Sequence, residues 1–166
     1  MAEIEQTIYS DEESTVIERQ IITFKLGDEV FGLDINSVRR IAQLEPSTIV
    51  PRAPDFITGI MNLGGSIITL VNLSKILKIP GEESFDQVII LKNETMQIGI
   101  LTGLITDVIA IDENSQEEGL IGIDRQETDI SFVSGVFKIG DKIVNILYSN
   151  KIFDFVDDSI SVSRVK

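Results

Sequence analysis

The stretch that decides the fold runs from Pro51 to Leu73 and reads PRAPDFITGIMNLGGSIITLVNL. Its two prolines, Pro51 and Pro54, fix φ and push the residues before them towards extended backbone. Gly64 and Gly65 then separate two apolar runs, which is the pattern of a tight β-hairpin turn. The stretch therefore predicts a rigid hairpin carried to the surface by a stiff loop, and this favours a binding surface over an active site.

The β pattern continues on both sides of this hairpin. Short apolar and β-branched segments recur along the chain with turn residues between them, which favours antiparallel barrels over a parallel α/β sheet. Two further hairpins are predicted around Gly27 and Gly140, within the similar sequences FKLGDE and FKIGDK. Gly-Asp turns are common enough to explain this likeness, but similar hairpins in both halves also support two related β-lobes.

Short helical segments are predicted between some of these strands. The segment SVRRIAQL, residues 37–44, places Val38, Ile41 and Leu44 on one helical face, and Pro46 ends it. In that helix Arg39 and Arg40 point to different sides. Further helical segments are predicted as a turn after Asp55, at residues 73–77 and at residues 150–155.

The chain is expected to form one compact unit of two small lobes. Residues 1–16 carry five acidic groups and no basic ones, which predicts a flexible acidic tail. The folded domain is expected at residues 17–156, with lobes at 17–82 and 83–156 divided near the segment PGEESFD. Residues 157–166 are expected to be a frayed C-terminus.

Composition excludes several classes of function. The chain has no cysteine and no histidine, which removes thiolate and imidazole metal ligands, a cysteine nucleophile and the commonest general base. We therefore expect no enzyme, no catalytic residue, no cofactor and no metal. The remaining enzyme hypothesis is a small barrel using carboxylates, which would need two acids to converge in a pocket.

Charge and targeting signals bound the partners and the location. The formal net charge of −13 argues against nucleic acid and anionic membranes as partners. Residues 17–82 carry seven acids and seven bases, whereas residues 83–166 carry fifteen acids and seven bases. This asymmetry is compatible with two surfaces for different partners or with drift. No apolar run is long enough to insert in a membrane and no secretion signal precedes the domain, so a cytoplasmic location is expected.

Two local motifs invite a chemical interpretation. The loop DENSQEE, residues 112–118, resembles a calcium loop, but Glu117 stands where the sharp turn requires Gly, so a solvated surface loop is predicted. Arg39, Arg40 and Arg52 are the densest positive group of the acidic chain. They form either a solvated face or the border of a groove that meets an acidic partner.

Taken together, the hairpin FKLGDEVFGLDINSVRRI, the stretch VPRAPDFITGIMNLGGSIITLVNL and the closing segment SGVFKIGDKIVNILYSNKIF resemble the CheW family of chemotaxis adaptors. The resemblance covers about residues 18–156. It implies two five-stranded β-barrels (SH3/OB-like) around a shared apolar core. It also implies a non-enzymatic scaffold that couples chemoreceptors, at their cytoplasmic tip, to the regulatory domain of the histidine kinase CheA. That role would place the chain at receptor arrays on the inner face of the membrane.

The sequence departs from the family pattern at polar positions. Where the family usually has Glu in V-x-E-I this chain has Arg40, and where it has Arg in N-L-R-G this chain has Gly64. Thr69, Asn72 and Ser74 replace the Pro, Asp and Arg of P-V-x-D-L-R, which we interpret as rewritten surface features. Restoring both members of the pair (Arg40→Glu with Gly64→Arg) is expected to raise affinity for a standard partner more than either change alone.

The resemblance implies a partner-binding site made from two segments. Apolar contact is assigned to Val38, Ile41 and Ile67, charge recognition to Arg40, and close backbone approach to Asn62 and Gly64. Any of the three apolar residues could instead belong to the core. The alternative function is a CheV-like or pilus-system relative with altered or one-sided partner binding.

Overall fold

The computed structural model describes residues 18–80, 84–103, 105–112, 116–117 and 130–165. The predicted tail 1–16 and most of the predicted loop 112–118 lie outside these residues. The described strands are β1 (Glu18–Leu26), β2 (Glu29–Asp34), β3 (Val38–Gln43), β4 (Ile57–Leu63), β5 (Ser66–Val71), β6 (Gln87–Leu91), β7 (Ile98–Thr102), β8 (Ile105–Asp112), β9 (Gln116–Glu117), β10 (Val133–Ile139) and β11 (Lys142–Leu147). The α-helices are α1 (Leu73–Leu77) and α2 (Ser149–Val165).

The strands form two sheets, here called sheet A and sheet B. Sheet A has the order β8-β1-β2-β11-β10-β9, and sheet B has the order β3-β6-β7-β5-β4. Most neighbours are antiparallel, but each sheet contains one parallel pair, β2 with β11 and β5 with β7. The predicted all-β class is confirmed, with these parallel pairs as an addition to the antiparallel pattern.

Each sheet closes towards a barrel, because residues that follow one edge strand in the chain pair with the strand at the opposite edge. In sheet B, Thr48 follows β3 and pairs with Ile60 of β4 through two backbone hydrogen bonds of 2.8 Å. In sheet A, β9 follows β8 in the chain and pairs with β10 at the other edge. Each sheet thus has the connectivity of a five-stranded barrel with one interrupted strand, as the resemblance implied.

The two barrels are not successive lobes of the chain. Sheet B uses residues 38–102, while sheet A uses residues 18–34 and 105–147, so sheet B is inserted into sheet A. The predicted division near residues 80–86 instead falls inside sheet B. The two hairpins with Gly-Asp turns also lie together in sheet A, joined by the parallel β2–β11 pair. Turn signals predict hairpins locally, but the pairing of hairpins far apart in sequence depends on long-range contacts.

The predicted helix at residues 37–44 is wrong. A 3₁₀ turn at Ile35–Ser37 is followed by strand β3, in which Val38 pairs with Leu91 and Arg40 pairs with Ile90. Arg39 is therefore the extra residue of a β-bulge. Because a bulge interrupts the period of two, the apolar residues acquire a spacing of three that imitates a helix.

Two other local predictions also change. The residues after Asp55 enter strand β4 rather than a helical turn. The closing helix does not end at Phe155 but continues to Val165, so the end predicted to be frayed is helical as far as that residue. Helix α1 is confirmed at residues 73–77.

The main core lies between the two sheets and is completed by the helices. Phe24, Phe31 and Leu33 from sheet A and Ile89 and Ile100 from sheet B are fully buried in it. Helix α2 adds two fully buried residues, Ile152 and Val156. Each barrel also has a smaller interior of its own. Burying these apolar side chains is the main stabilising contribution, because each contributes about 1.5–3 kcal/mol when fully removed from water.

Candidate functional site

The first part of the predicted site is the edge strand β3. Val38 is half-buried and packs against the main core, so its role is largely structural. Arg40 is exposed, and the side chain of Ile41 is 38% exposed. Arg39 donates a hydrogen bond from its guanidinium to the backbone oxygen of Asn93 (3.1 Å). Of the predicted site residues on this strand, Arg40 and Ile41 are therefore the two that are exposed to a partner.

The second part is the tip of the β4–β5 hairpin. The side-chain oxygen of Asn62 accepts a hydrogen bond from the backbone N–H of Gly65 (3.0 Å) and so holds the turn closed. Gly64 and Gly65 have φ of 58° and 89°, the left-handed values that a two-residue hairpin turn of type I′ requires. Ile67 pairs directly with Asn62 and is 56% exposed. The hairpin thus presents an apolar side chain on a rigid support.

Asn62, Gly64 and Ile67 share the β4–β5 hairpin, whereas Val38, Arg40 and Ile41 lie on β3, which pairs with neither strand of that hairpin. Strands β3 and β4 are the opposite edges of sheet B, with β6, β7 and β5 between them in the hydrogen-bonded order. Arg40 and Gly64 are consequently not neighbours on paired strands. Coupling between these two positions stays a prediction.

Two exposed residues on sheet A were not predicted from the sequence. Strand β8 carries a bulge between Ile105 and Asp107 where it pairs with β1, as β3 does between Val38 and Arg40 where it pairs with β6. Asp107 therefore occupies in sheet A the position of Arg40 in sheet B. The next residue, Val108, is 49% exposed, much as Ile41 is. The correspondence depends on strand register, so no local sequence signal could have revealed it.

Two of the residues that depart from the family pattern are not surface features. Asn72 is 3% exposed and Ser74 is 7% exposed. The side-chain oxygen of Asn72 has no hydrogen-bond partner among the described residues. These substitutions therefore change the interior at the start of helix α1 rather than a docking surface, which corrects the sequence interpretation. Thr69 is half-buried.

A cavity of about 460 Å³ lies at the end of sheet A, where the β1–β2 and β10–β11 turns meet. Its apolar floor includes Val30, Ile109 and Val144. The charged groups that line it are Lys25, Asp28, Glu29, Asp107, Asp141 and Lys142. Burial, and after it the carboxylate of Asp28, raise the pKa of Glu29 above its ordinary value. Asp107, the counterpart of Arg40 by strand register, is one of the four carboxylates that line this cavity.

These observations define a class of protein, namely a two-barrel β protein whose candidate site is a set of exposed strand edges. Within the described residues there is no cluster of three or more His, Cys, Asp or Glu that could hold a metal ion. Nor, over that same part of the chain, is any helix long and apolar enough to cross a membrane.

Comparison with known proteins identifies the family. Residues 20–156 match the profile of the CheW-like domain. Chemotaxis protein CheW of Treponema pallidum is 31% identical over an alignment of 143 residues, and the match covers 81% of this chain and 81% of that protein. Chemotaxis protein CheW of Rhizobium meliloti is 27% identical over 138 residues, covering 81% of this chain and 87% of that protein. The chain belongs to the CheW family.

A solved structure supports the same conclusion for the fold. The crystal structure of scaffolding protein TtCheW from Thermoanaerobacter tengcongensis matches with a TM-score of 0.70 and 32% sequence identity. The match covers 80% of this chain and 86% of that chain. The two-barrel architecture predicted from the resemblance is therefore confirmed.

Proposed function

We propose that this chain is a chemotaxis adaptor that couples chemoreceptors to a CheA-type histidine kinase, without catalytic activity of its own. Membership of the CheW family and the likeness to a scaffolding protein support this role. The partners would be the regulatory domain of the kinase and the cytoplasmic tip of the receptors, so the chain would act at receptor arrays on the inner face of the membrane.

One observation carries the proposal. An adaptor must hold two partners at once, and the chain exposes two equivalent edge strands that differ in charge. Strand β3 presents Arg40 and Ile41, whereas β8 presents Asp107 and Val108. Because opposite charges at equivalent positions discriminate between partners, the two edges suit different surfaces.

The test is to place a charged residue on one edge strand at a time, on β3 or on β8. Ile41→Asp and Val108→Asp are each expected to weaken one of the two partners by about tenfold, which corresponds to about 1.4 kcal/mol, and to leave the other unchanged. The measurement is calorimetric titration with an isolated CheA regulatory domain and with a soluble receptor-tip fragment. Ile49→Asp is the matched control, since Ile49 is 79% exposed and lies on neither edge.

The same titrations decide against the proposal if the unmodified chain binds neither partner. Binding to a single partner would instead favour the CheV-like or pilus-system alternative with one-sided recognition. The replacement of the usual family Glu by Arg40 is the observation that keeps this alternative open.

A further inference from the structure

A second surface, distinct from the two strand edges, lies beside the proline loop. It is a groove of about 630 Å³ between residues 50–54, the outer face of the β4–β5 hairpin, the turn at residues 95–97 and the C-terminal half of helix α2. Its apolar lining includes Ile60, Met96 and Ile160, and Ile67 stands at its side with 56% of its surface exposed. A groove of this size accommodates several side chains of a bound segment.

The charge of the groove is opposite to that of the chain. Arg52 is the single charged residue among the described residues that line it, and no carboxylate is among them. The chain as a whole has a net charge of −13. Within the described part of the chain no carboxylate forms an ion pair with Arg52, although an Arg19–Asp34 pair is present elsewhere. An exposed guanidinium beside an apolar surface therefore remains available to an incoming carboxylate.

The backbone of Arg52 has a left-handed conformation, which is strained for a residue with a side chain. Its φ is 64°, a left-handed value that costs a residue with a side chain about 1–2 kcal/mol. The N–H of Ala53 donates to the oxygen of Val50 (3.4 Å), so Pro51 and Arg52 are the central residues of a tight turn. Glycine is the residue that such a turn prefers after proline. Lys78, with a φ of 60°, adopts the same conformation, as the C-cap of helix α1, whereas Arg52 does not end a helix. The strain at Arg52 therefore supports a functional role for this residue.

The face of sheet B that lines the groove is partly exposed, whereas the equivalent face of sheet A is buried. By the register of the strands, Val136 and Asn145 occupy in sheet A the positions of Ile60 and Thr69 in sheet B. Val136 is 1% exposed and Asn145 is 0% exposed. Ile60 and Thr69 are only half-buried and line the groove. The open face of sheet B is therefore a place where a further segment can pack.

We propose that this groove binds an amphipathic segment of a partner protein, with apolar side chains against Ile60, Ile67 and Met96 and a carboxylate paired with Arg52. The inference does not rest on kinase or receptor coupling, because it concerns a different ligand and a largely different surface. The guanidinium disfavours a basic segment at this place, and a fully polar segment would leave the apolar lining exposed.

Methionine methyl groups supply the readout. The chain has three methionines, of which Met96 lines the groove and Met61 is 2% exposed inside barrel B. We would titrate the full chain, labelled with ¹³C at the methionine methyl groups, with a synthetic helical peptide of about fourteen residues, roughly four turns. The peptide carries leucine on one face and glutamate at its border. Its binding is expected to shift the signal of Met96 and to leave that of Met61 in place.

Arg52→Gly separates a binding role from a structural one. The variant relieves the left-handed strain, so its Tm should rise by a few degrees, while its affinity for the glutamate peptide should fall about tenfold. Lys138→Ala is the matched control, since it removes one exposed positive charge from sheet A. It should leave peptide affinity unchanged.

Three outcomes would overturn the inference. The first is equal affinity for a peptide in which lysine replaces glutamate. The second is unchanged affinity in Arg52→Gly. The third is a shift of Met96 on raising the protein concentration without peptide, which would mean that a second copy of the chain occupies the groove.

Discussion

Sheets A and B share one pairing pattern but differ in how the chain passes through them. In both sheets an edge strand, β3 or β8, pairs with the first strand of a hairpin, β6–β7 or β1–β2. A parallel pair joins that hairpin to a second hairpin, β4–β5 or β10–β11. The outer strand of the second hairpin pairs with the residues that follow the edge strand in the chain. Sheet B takes these strands from one uninterrupted segment. Sheet A begins with its first hairpin, β1–β2, and is completed by β8–β11 after sheet B. Its strand sequence is thus a circular permutation of that of sheet B.

The agreement extends to the irregular positions. The bulge in β3 between Val38 and Arg40 has its counterpart in β8, and the register shift at Gly59 of β4 has its counterpart at Gly135 of β10. Strand pairing and packing, not the order of the strands in the chain, therefore set the barrel geometry. What differs between the barrels is chemistry, with Arg40 on one edge and Asp107 on the other.

The largest expected effect tests the two barrel interiors. Gly32 and Gly99 occupy equivalent positions, and a Cβ at either would lie 2.3 Å from Ile21 or 2.4 Å from Val88. Gly32→Ala and Gly99→Ala should therefore each lower the free energy of unfolding by about 1–3 kcal/mol, because overpacking a filled core forces neighbours to move. Urea denaturation measures both.

Gly103→Ala is the control for these two variants, since a Cβ added at Gly103 would meet no described atom within 4 Å. It should change stability little. If only one of Gly32→Ala and Gly99→Ala were costly, the two interiors would not be equivalent.

The next effect concerns the turns. Gly64 and Gly140 close equivalent hairpins with φ of 58° and 61°, and a Cβ at either would meet no described atom within 4 Å. Gly64→Ala and Gly140→Ala should each cost about 1 kcal/mol from backbone strain alone. Equal losses of Tm in the two variants would support the comparison, whereas a much larger loss at one turn would contradict it. The same strain would accompany any Gly64→Arg restoration.

The smallest effect is a pH dependence confined to sheet A. Because the pKa of Glu29 is raised, the folded chain holds this proton to a higher pH than the unfolded chain does. Stability should fall as pH rises from about 4.5, the ordinary value, through the raised folded value. Glu29→Gln should remove that decline, so its stability relative to the unmodified chain should improve as pH rises. Thermal unfolding across this range measures the difference, and a difference of opposite sign would contradict the assignment.

Much of the local structure could be predicted from the sequence. The β4–β5 hairpin, with its Gly64-Gly65 turn, is where the alternating residues placed it, because turn chemistry and period-two burial act over a few residues. The hairpins at Gly27 and Gly140 follow for the same reason. Strand β3 could not be predicted, because the bulge at Arg39 interrupts the alternation of apolar and polar residues.

Only part of the candidate site could be predicted from the sequence. Ile67 and Ile41 are exposed as a binding surface requires, but Val38 is half-buried and packs against the core. Asp107 and Val108 could not be recognised, because their equivalence to Arg40 and Ile41 depends on pairing between β1 and β8. One contact in this pair, from the Thr23 hydroxyl to the Asp107 backbone oxygen, spans 84 residues.

The amino-acid sequence by itself determined the class of fold, the hairpins and the absence of histidine and cysteine chemistry, since these follow from composition and short-range pattern. Only the tertiary structure decided that sheet B is inserted into sheet A, that Arg40 and Asp107 are counterparts, and that Arg52 borders an open apolar groove. The physical reason is that register and burial are properties of contacts between distant segments, whereas turns and alternation are properties of neighbours.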